Sequence, residues 1–334
     1  LVKKRLICSK IEISPFNEFL KDYLMKRLIC GLCLVILFSG LSRNASAQYY
    51  FYNDSYYYKP VQFELGGSIG FMNCLTDLGG NKGIGKKFMK DVNFGNNKLA
   101  GGVYFSAMYK SAIGLRLEAA FGKISADDKV LESVSAGDIS KARHNRNLNF
   151  QSTISEFSLT TELHPLFLFI DWESRDEDPP SFSPYFLAGI GYFSFNPQAN
   201  INGRLVDLQP LSTEGQGFKE YPDRKPYKLK QVNFPLGVGL KYELSSLVNL
   251  RGEFVYRILN TDYLDDVSTN YIDPALFASN GLTGSRLNNA LLLHDRQLVP
   301  LTGIGSKRGS PAEKDGFFSF NLKIGLAIGR ERVR

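Results

Sequence analysis

Three stretches, 231–244, 248–258 and 316–329, share a two-faced pattern that few folds can accommodate. In 231–244 the even positions read Val232, Phe234, Leu236, Val238, Leu240, Tyr242 and Leu244. The odd positions read Gln231, Asn233, Pro235, Gly237, Gly239, Lys241 and Glu243. Successive side chains of a strand point to opposite faces, so one face is apolar throughout and the other is polar, charged or tiny. Soluble sandwich strands also alternate, but they usually run only about five or six residues. A tilted strand crossing a bilayer needs roughly 9–11 residues, the length seen here. The pattern predicts apolar side chains against lipid and a polar interior.

Five further segments fit the template. In 61–71 the outward set is Val61, Phe63, Leu65, Ile69 and Phe71, against Gln62, Glu64, Gly66, Ser68 and Gly70. In 101–110 Val103, Phe105, Ala107 and Tyr109 oppose Tyr104, Ser106, Met108 and Lys110. In 113–123 Ile113, Leu115, Leu117, Ala119 and Phe121 oppose Gly114, Arg116, Glu118, Ala120 and Gly122. Segment 148–163 requires a slip near Ser155-Glu156, such as a β-bulge, before Phe157, Leu159 and Leu163 take the outer face. Segment 184–195 is apolar on both sides, and its faces stay unassigned. The total is eight, an even number as bacterial barrels require.

Connector lengths point the same way. Links after the first, third, fifth and seventh strands are long, at 72–100, 124–147, 196–230 and 259–315. Those after the second and sixth, Ser111-Ala112 and Ser245 to Leu247, are tight turns, and 164–183 is intermediate. Short turns on one side and long loops on the other are the habit of outer-membrane barrels. The expected fold is all-β: one eight-stranded antiparallel up-and-down transmembrane β-barrel over 61–330, with long outer loops.

The beginning of the chain reads as targeting rather than fold. Met25-Lys26-Arg27, the apolar run Leu28 to Phe38 and Ala45-Ser46-Ala47 before Gln48 form a secretory signal peptide over 25–47. Residues 1–24 are expected to be a non-native upstream extension, with Met25 the start. Segment 1–47 holds eight basic and three acidic residues, so removing it lowers the net charge from +7 to +2. The basic balance therefore gives no reason to expect nucleic acid. Cys8, Cys30 and Cys33 leave with the leader, and Cys74 alone supports neither a disulfide framework nor a thiolate metal site. Export of such a chain predicts localisation in the outer membrane.

The inward-facing charges are expected to neutralise one another. They are Glu64, Arg116, Glu118, Lys241, Glu243, Arg251, Glu253, Arg257 and Lys323. An eight-stranded barrel is just wide enough for side chains to fill, and unpaired buried charge is costly, so a salt-bridged plug is favoured over a passive pore.

Other motifs are weaker. Gly80-Asn81-Lys82-Gly83-Ile84-Gly85-Lys86-Lys87 nearly matches a phosphate-binding loop, but Lys87 stands where Ser or Thr is needed for magnesium. It reads as a basic outer loop, which Lys82, Lys86, Lys87, Lys90 and Lys98 would set against anionic lipopolysaccharide. No cofactor is expected. Asp262, Asp265, Asp266 and Asp273 are candidate cation ligands, without EF-hand spacing. His294-Asp295 shares their loop, which keeps a hydrolase as the rival function. His144 stands in another long link, and His164 before Pro165 reads as a turn residue. The Tyr-rich segment 48–60 suits a membrane interface or a periplasmic docking arm.

Several loop motifs are more specific. Asn73-Cys74-Leu75-Thr76-Asp77-Leu78-Gly79-Gly80, Glu214 to Phe218 with Tyr221-Pro222-Asp223-Arg224, Thr261 to Ser268, and Tyr271-Ile272-Asp273-Pro274 occur together. The chain resembles a family of Bacteroidota outer-membrane barrels similar to the PorG component of the type IX secretion system. The resemblance covers 48–330 and implies a non-enzymatic barrel that anchors periplasmic machinery, including a ring lipoprotein. It carries over no catalytic residue. The ending Gly329-Arg330-Glu331-Arg332-Val333-Arg334 departs from the aromatic terminus common among barrels.

Overall fold

The computed structural model describes residues 60–79, 93–132, 139–170, 172, 180–312 and 314–328. The segment expected to be a signal peptide, the Tyr-rich segment before Pro60, the 80–87 motif and Lys90 lie outside these residues. Eight long strands appear: β1 (Val61–Leu75), β2 (Lys98–Tyr109), β3 (Ile113–Asp127), β4 (Asn149–Leu163) and β5 (Phe182–Ser194), then, after a short hairpin of β6 (Gln198–Ile201) and β7 (Arg204–Asp207), β8 (Lys230–Glu243), β9 (Val248–Leu259) and β10 (Gly316–Ile328). Each long strand pairs antiparallel with both neighbours, and pairing of β3 with β4 and β10 with β1 closes the ring. No long strand is left with an open edge.

The register fixes the shape. Paired residues lead from Phe63 through Ala107, Leu115, Thr161, Ala188, Leu236, Tyr256 and Phe318 back to β1 at Asn73, ten residues further along. At standard strand spacings that stagger tilts the strands by roughly 40°. Between β2 and β3 the chain reverses at Lys110 and Ser111, with φ of 48° and 56°. Two left-handed residues in succession make the tight hairpin turn whose twist suits the flanking strands. Lys110 therefore sits exposed in the turn instead of facing the lumen as expected.

No slip occurs in β4. Its ladder to β3 runs unbroken from Leu163 opposite Ile113 to Asn149 opposite Asp127, with even-numbered side chains inward throughout. The barrel inverts its polarity partway along instead. Toward the short turns the outside is apolar, with Leu65, Leu117, Leu159 and Leu322 exposed, while Glu64, Arg116, Glu162 and Lys323 are buried inside. Toward the long loops β3 and β4 extend further. There Ile124, Ala126, Phe150 and Ile154 are buried inside, and Lys123 and Thr153 are exposed outside. Phe150 and Ile154 face inward because the end of the barrel is filled by an apolar core shared with the loops. The apolar periodicity changes face with no break in the backbone.

β5 also resolves. Phe182, Phe186, Ile190 and Tyr192 face out, whereas Ser183, Tyr185, Leu187 and Phe193 are buried inside. Two inward glycines make room for the rings that fill the lumen: a methyl at Gly66 would collide with Tyr104, and one at Gly239 with Tyr185. Among the described residues no helix is long and apolar enough to cross a membrane.

The two tiers should respond oppositely to charge. Leu117→Arg is expected to destabilise the barrel in phospholipid vesicles by about 2–4 kcal/mol, the cost of a cation near a bilayer midplane. Thr153→Arg should cost no more than about 1 kcal/mol. Denaturant titration of both variants checks this, and equal losses would place the apolar belt elsewhere.

Candidate functional site

Every inward position of β9 from Asn249 to Leu259 is buried, and its charged members define three levels of the lumen. Nearest the short turns, Arg251 donates from Nε and Nη2 to the two oxygens of Glu64, at 2.9 and 3.0 Å, and from Nη1 to Glu162 at 2.8 Å. Tyr104 and Asn249 also donate to Glu64, at 2.5 and 2.6 Å. In the middle, Arg116 Nη2 lies 2.7 Å from Glu253 and its Nε 3.0 Å from Glu162. Lys323 bridges Glu118 at 2.6 Å and Glu253 at 2.9 Å, and Tyr185 donates to Glu253 at 2.8 Å. Highest, Arg257 pairs with Glu156 at 3.0 Å and donates to Ser319, while Asn233 donates to Glu156 at 2.6 Å. Arg257 lies 5.3 Å from the centre of the Phe317 ring, where the apolar core begins.

All nine inward charges named from the sequence lie in this assembly, with Lys241 and Glu243 paired at the short-turn rim at 3.1 Å. Glu156 and Glu162 complete it, and neither was read from the sequence as an inward charge. The assumed slip in β4 obscured which face Glu156 takes. A strict even-numbered reading of β4 was the signal that finds both. Five cations (Arg116, Arg251, Arg257, Lys241, Lys323) meet six carboxylates (Glu64, Glu118, Glu156, Glu162, Glu243, Glu253), so the lumen is nearly neutral. The arrangement crosses the barrel rather than lining a channel, because β3 and β9 are half the circumference apart in strand order.

His164 closes the short-turn end. It sits between Ser183 Oγ, 2.8 Å from Nδ1, and Glu162 Oε2, 3.3 Å from Nε2, and stacks on Tyr185. The sequence of Ser, His and Glu looks like a hydrolytic relay. Its Glu is already engaged by two arginines, all three residues are buried, and the cavity beside Ser183 is only about 10 Å³. A substrate has no room there.

The loop end is a cross-linked cap. Of the four helices among the described residues, α1 (Ile139–Arg146), α3 (Ala275–Ser279) and α4 (Gly284–His294) belong to it, and α2 (Pro165–Leu168) lies at the opposite end. Arg146, at the end of α1, donates twice to Asp128, to the Arg308 carbonyl at 2.7 Å and to the Asp77 carbonyl at 2.7 Å. Glu214 accepts from Arg308 at 2.8 Å and from the backbones of Ser268 and Thr269. These two hubs tie all four long loops together.

The aspartates proposed for a cation serve this cap instead. Asp265 accepts from the Leu78 and Val267 amides, and Asp266 from Thr213 and Tyr227. Asp273 accepts from the Ala275 amide at the start of α3. Asp262 is half-buried nearby. Among the described residues no group of three or more His, Cys, Asp or Glu is arranged to hold a metal ion. His294 is buried, donates from Nδ1 to the Thr213 carbonyl at 2.8 Å, and packs edge-on against Tyr271 and Phe277. It is a core residue, out of a substrate's reach, and the hydrolase reading loses its base. His144 lies on α1.

Burial pushes the Asp265 carboxyl well above the usual range, and the charge of Asp77 adds to this. Asp315 is raised by burial and by Asp265, and Asp77 by burial. Asp266 is pushed up to about 6 by burial, against the pull of Arg308. Burial holds His294 below the ordinary histidine range, with Arg308 adding to this.

Taken together, the exposed apolar belt, closed ladder and bridged lumen define a membrane-spanning barrel whose interior is crossed by ion pairs. No family model and no curated protein matches the sequence. Among solved structures the chain is similar to Ail, the attachment invasion locus protein of Yersinia pestis, at 9% identity and a TM-score of 0.31, over 80% of this chain and 97% of that one. The outer membrane protein OprG of Pseudomonas aeruginosa aligns at 12% identity and 0.32, over 80% and 96%. Neisserial surface protein A aligns at 6% and 0.34, over 79% and 96%.

Breaking one lumen pair should cost more than removing it. Glu156→Leu alone strands the Arg257 charge and is expected to destabilise by about 3–5 kcal/mol. Adding Arg257→Met should recover a large part of that loss, as read by unfolding midpoints in detergent. A double variant no better than the single would show that the pair's charges do not dominate.

The cap aspartates set a pH dependence. Their folded values lie above the ordinary aspartate value of 3.8, so through that window the fold holds protons the unfolded chain has released. Their contribution to cap stability therefore falls as pH rises, over 3.8 to about 6 for Asp266. Hydrogen exchange of 261–272, corrected for intrinsic rates, should show greater protection at pH 4.5 than at pH 7.5. Asp265→Asn should reduce the contrast, and protection rising with pH would contradict it.

Proposed function

We propose that this chain is a non-enzymatic integral barrel of the bacterial outer membrane that serves as a scaffold and conducts nothing. The observation that carries the reading is the contact between Arg116 and Glu253 across the full width of the lumen, 2.7 Å long and buried at both ends. A permeation path needs a continuous water column, and here the middle level is occupied by paired side chains. The signal-peptide pattern supports export. The alternation of short turns and long loops supports an orientation with the turns in the periplasm and the cap outside.

The finer role is a PorG-like component of type IX secretion that holds a periplasmic ring lipoprotein to the membrane. It rests on the resemblance of the loop motifs alone. Such a scaffold needs a fixed position and a rigid body, and the bridged lumen and cross-linked loops supply the rigidity.

In planar bilayers the purified barrel should give no stable unitary conductance at neutral pH, and large persistent open channels would overturn the scaffold reading. Co-purification in mild detergent tests the secretion role separately. Recovery of a periplasmic lipoprotein is the expected result, and a chain that copurifies only with lipid would remove that role.

A further inference from the structure

Where β3 and β4 rise beyond the apolar belt, their outward side chains form the floor of an open polar cleft of about 520 Å³. Ser125 and Asp127 come from β3, and Asn149 and Gln151 from β4. Lys98 at the start of β2 bounds one side, and Gln198 and Asn200 of β6 bound the other. The wall is fixed. Asn149 Oδ1 accepts from the Asn200 amide at 2.9 Å, and Arg296 donates to the Asn200 carbonyl at 3.3 Å. Its volume lies in the range of small-molecule sites.

The chemistry is selective. Lys98, Lys129 and Arg296 give three positive charges against the single carboxylate of Asp127. Lys98, Lys129 and Gln151 have no side-chain hydrogen bond or ion pair among the described residues, so these groups face the cleft uncommitted. Amides that both donate and accept suit vicinal hydroxyls, and ammonium and guanidinium groups suit phosphate or carboxylate. Height decides the source. Phe121 of β3 and Phe157 of β4, packed edge to face, are the last outward aromatic residues below the cleft. Phe121 is only four residues from Ser125, about 13 Å along the strand. A saccharide attached to a lipid in the same leaflet reaches the cleft without leaving the membrane.

The geometry points to a binding site for the acidic, phosphate-bearing core sugars of a lipopolysaccharide, built on the outward faces of β3 and β4 between the start of β2 and the β6–β7 hairpin. This assignment rests on the outer-membrane reading, and insertion is therefore scored independently. The full barrel is reconstituted in phosphatidylcholine vesicles, with insertion verified by protease protection, and then titrated with core-bearing lipopolysaccharide. Lys98→Glu combined with Lys129→Glu should weaken binding about ten-fold or more and leave the unfolding midpoint unchanged, since both lysines are exposed. Gln151→Leu should weaken it without altering its salt dependence. Equal binding by wild type and the double variant overturns the site, as does equal affinity for lipid A stripped of core sugars. Variant-sensitive binding of a free acidic polysaccharide, with none of lipopolysaccharide, overturns the lipid-linked source. Failure to insert would instead strike the outer-membrane reading itself.

Discussion

Arg116 reaches from β3 to Glu253 on β9, strands half a circumference apart, at a level where water cannot compensate either charge. Each ion left alone there would cost several kcal/mol in lost hydration. Once the outside of the barrel is committed to lipid, the buried inward charges must find their partners within the lumen. Arg251 shows the consequence: its three donors join β9 to Glu64 on β1 and Glu162 on β4. Backbone ladders fix each strand to its neighbours, and these cross-lumen pairs fix strands that are not neighbours. The wall and the plug are therefore one mechanical unit.

The same requirement explains why the chain changes polarity along its length. Above the belt the outside meets water, so polar residues belong there and the interior is free to be apolar. Phe317 marks the boundary, with the Arg257 guanidinium on one side and Phe193 on the other. The apolar core continues from there into the loops through Phe195, Tyr227 and Tyr263, rings stacked in succession. The cap is thus an extension of the barrel interior, and long loops that would otherwise be mobile acquire a core of their own.

Much of the barrel was legible because a period of two is unambiguous when one face meets lipid. Val232 to Tyr242 and Leu322 to Ile328 announce their sides, and their observed strands begin and end within about two residues of the reading. The failure in 148–163 has a physical cause. Alternation reports which residues share a face, but which face is apolar depends on the surrounding medium, and the medium changes along β4. Phe150 and Ile154 therefore looked out of phase with Phe157 and Leu159. Among the charges, period told side but not height, so it did not show that Arg116 meets Glu253 or that Lys323 serves two carboxylates. The cap aspartates were misleading for a related reason. Asp265 and Asp266 look like solvated cation ligands in sequence, yet both are buried acceptors for donors more than fifty residues away, Leu78 and Thr213.

Rigidity and recognition are divided between the two tiers. In the belt the outer surface is apolar and suited to lipid tails, while ion pairs cross the lumen. Polar, exposed surface for selective chemistry lies where the strands rise beyond the belt with their outward faces wet. β3 and β4 carry the tallest such surface, held in shape from behind by Ile124, Phe150 and Ile154 and from the side by the β6–β7 hairpin. An apolar core behind a polar face lets exposed amides and lysines stand at fixed spacing. That combination, a stiff wall with uncommitted polar groups beside the leaflet, is what a saccharide site at a membrane surface requires.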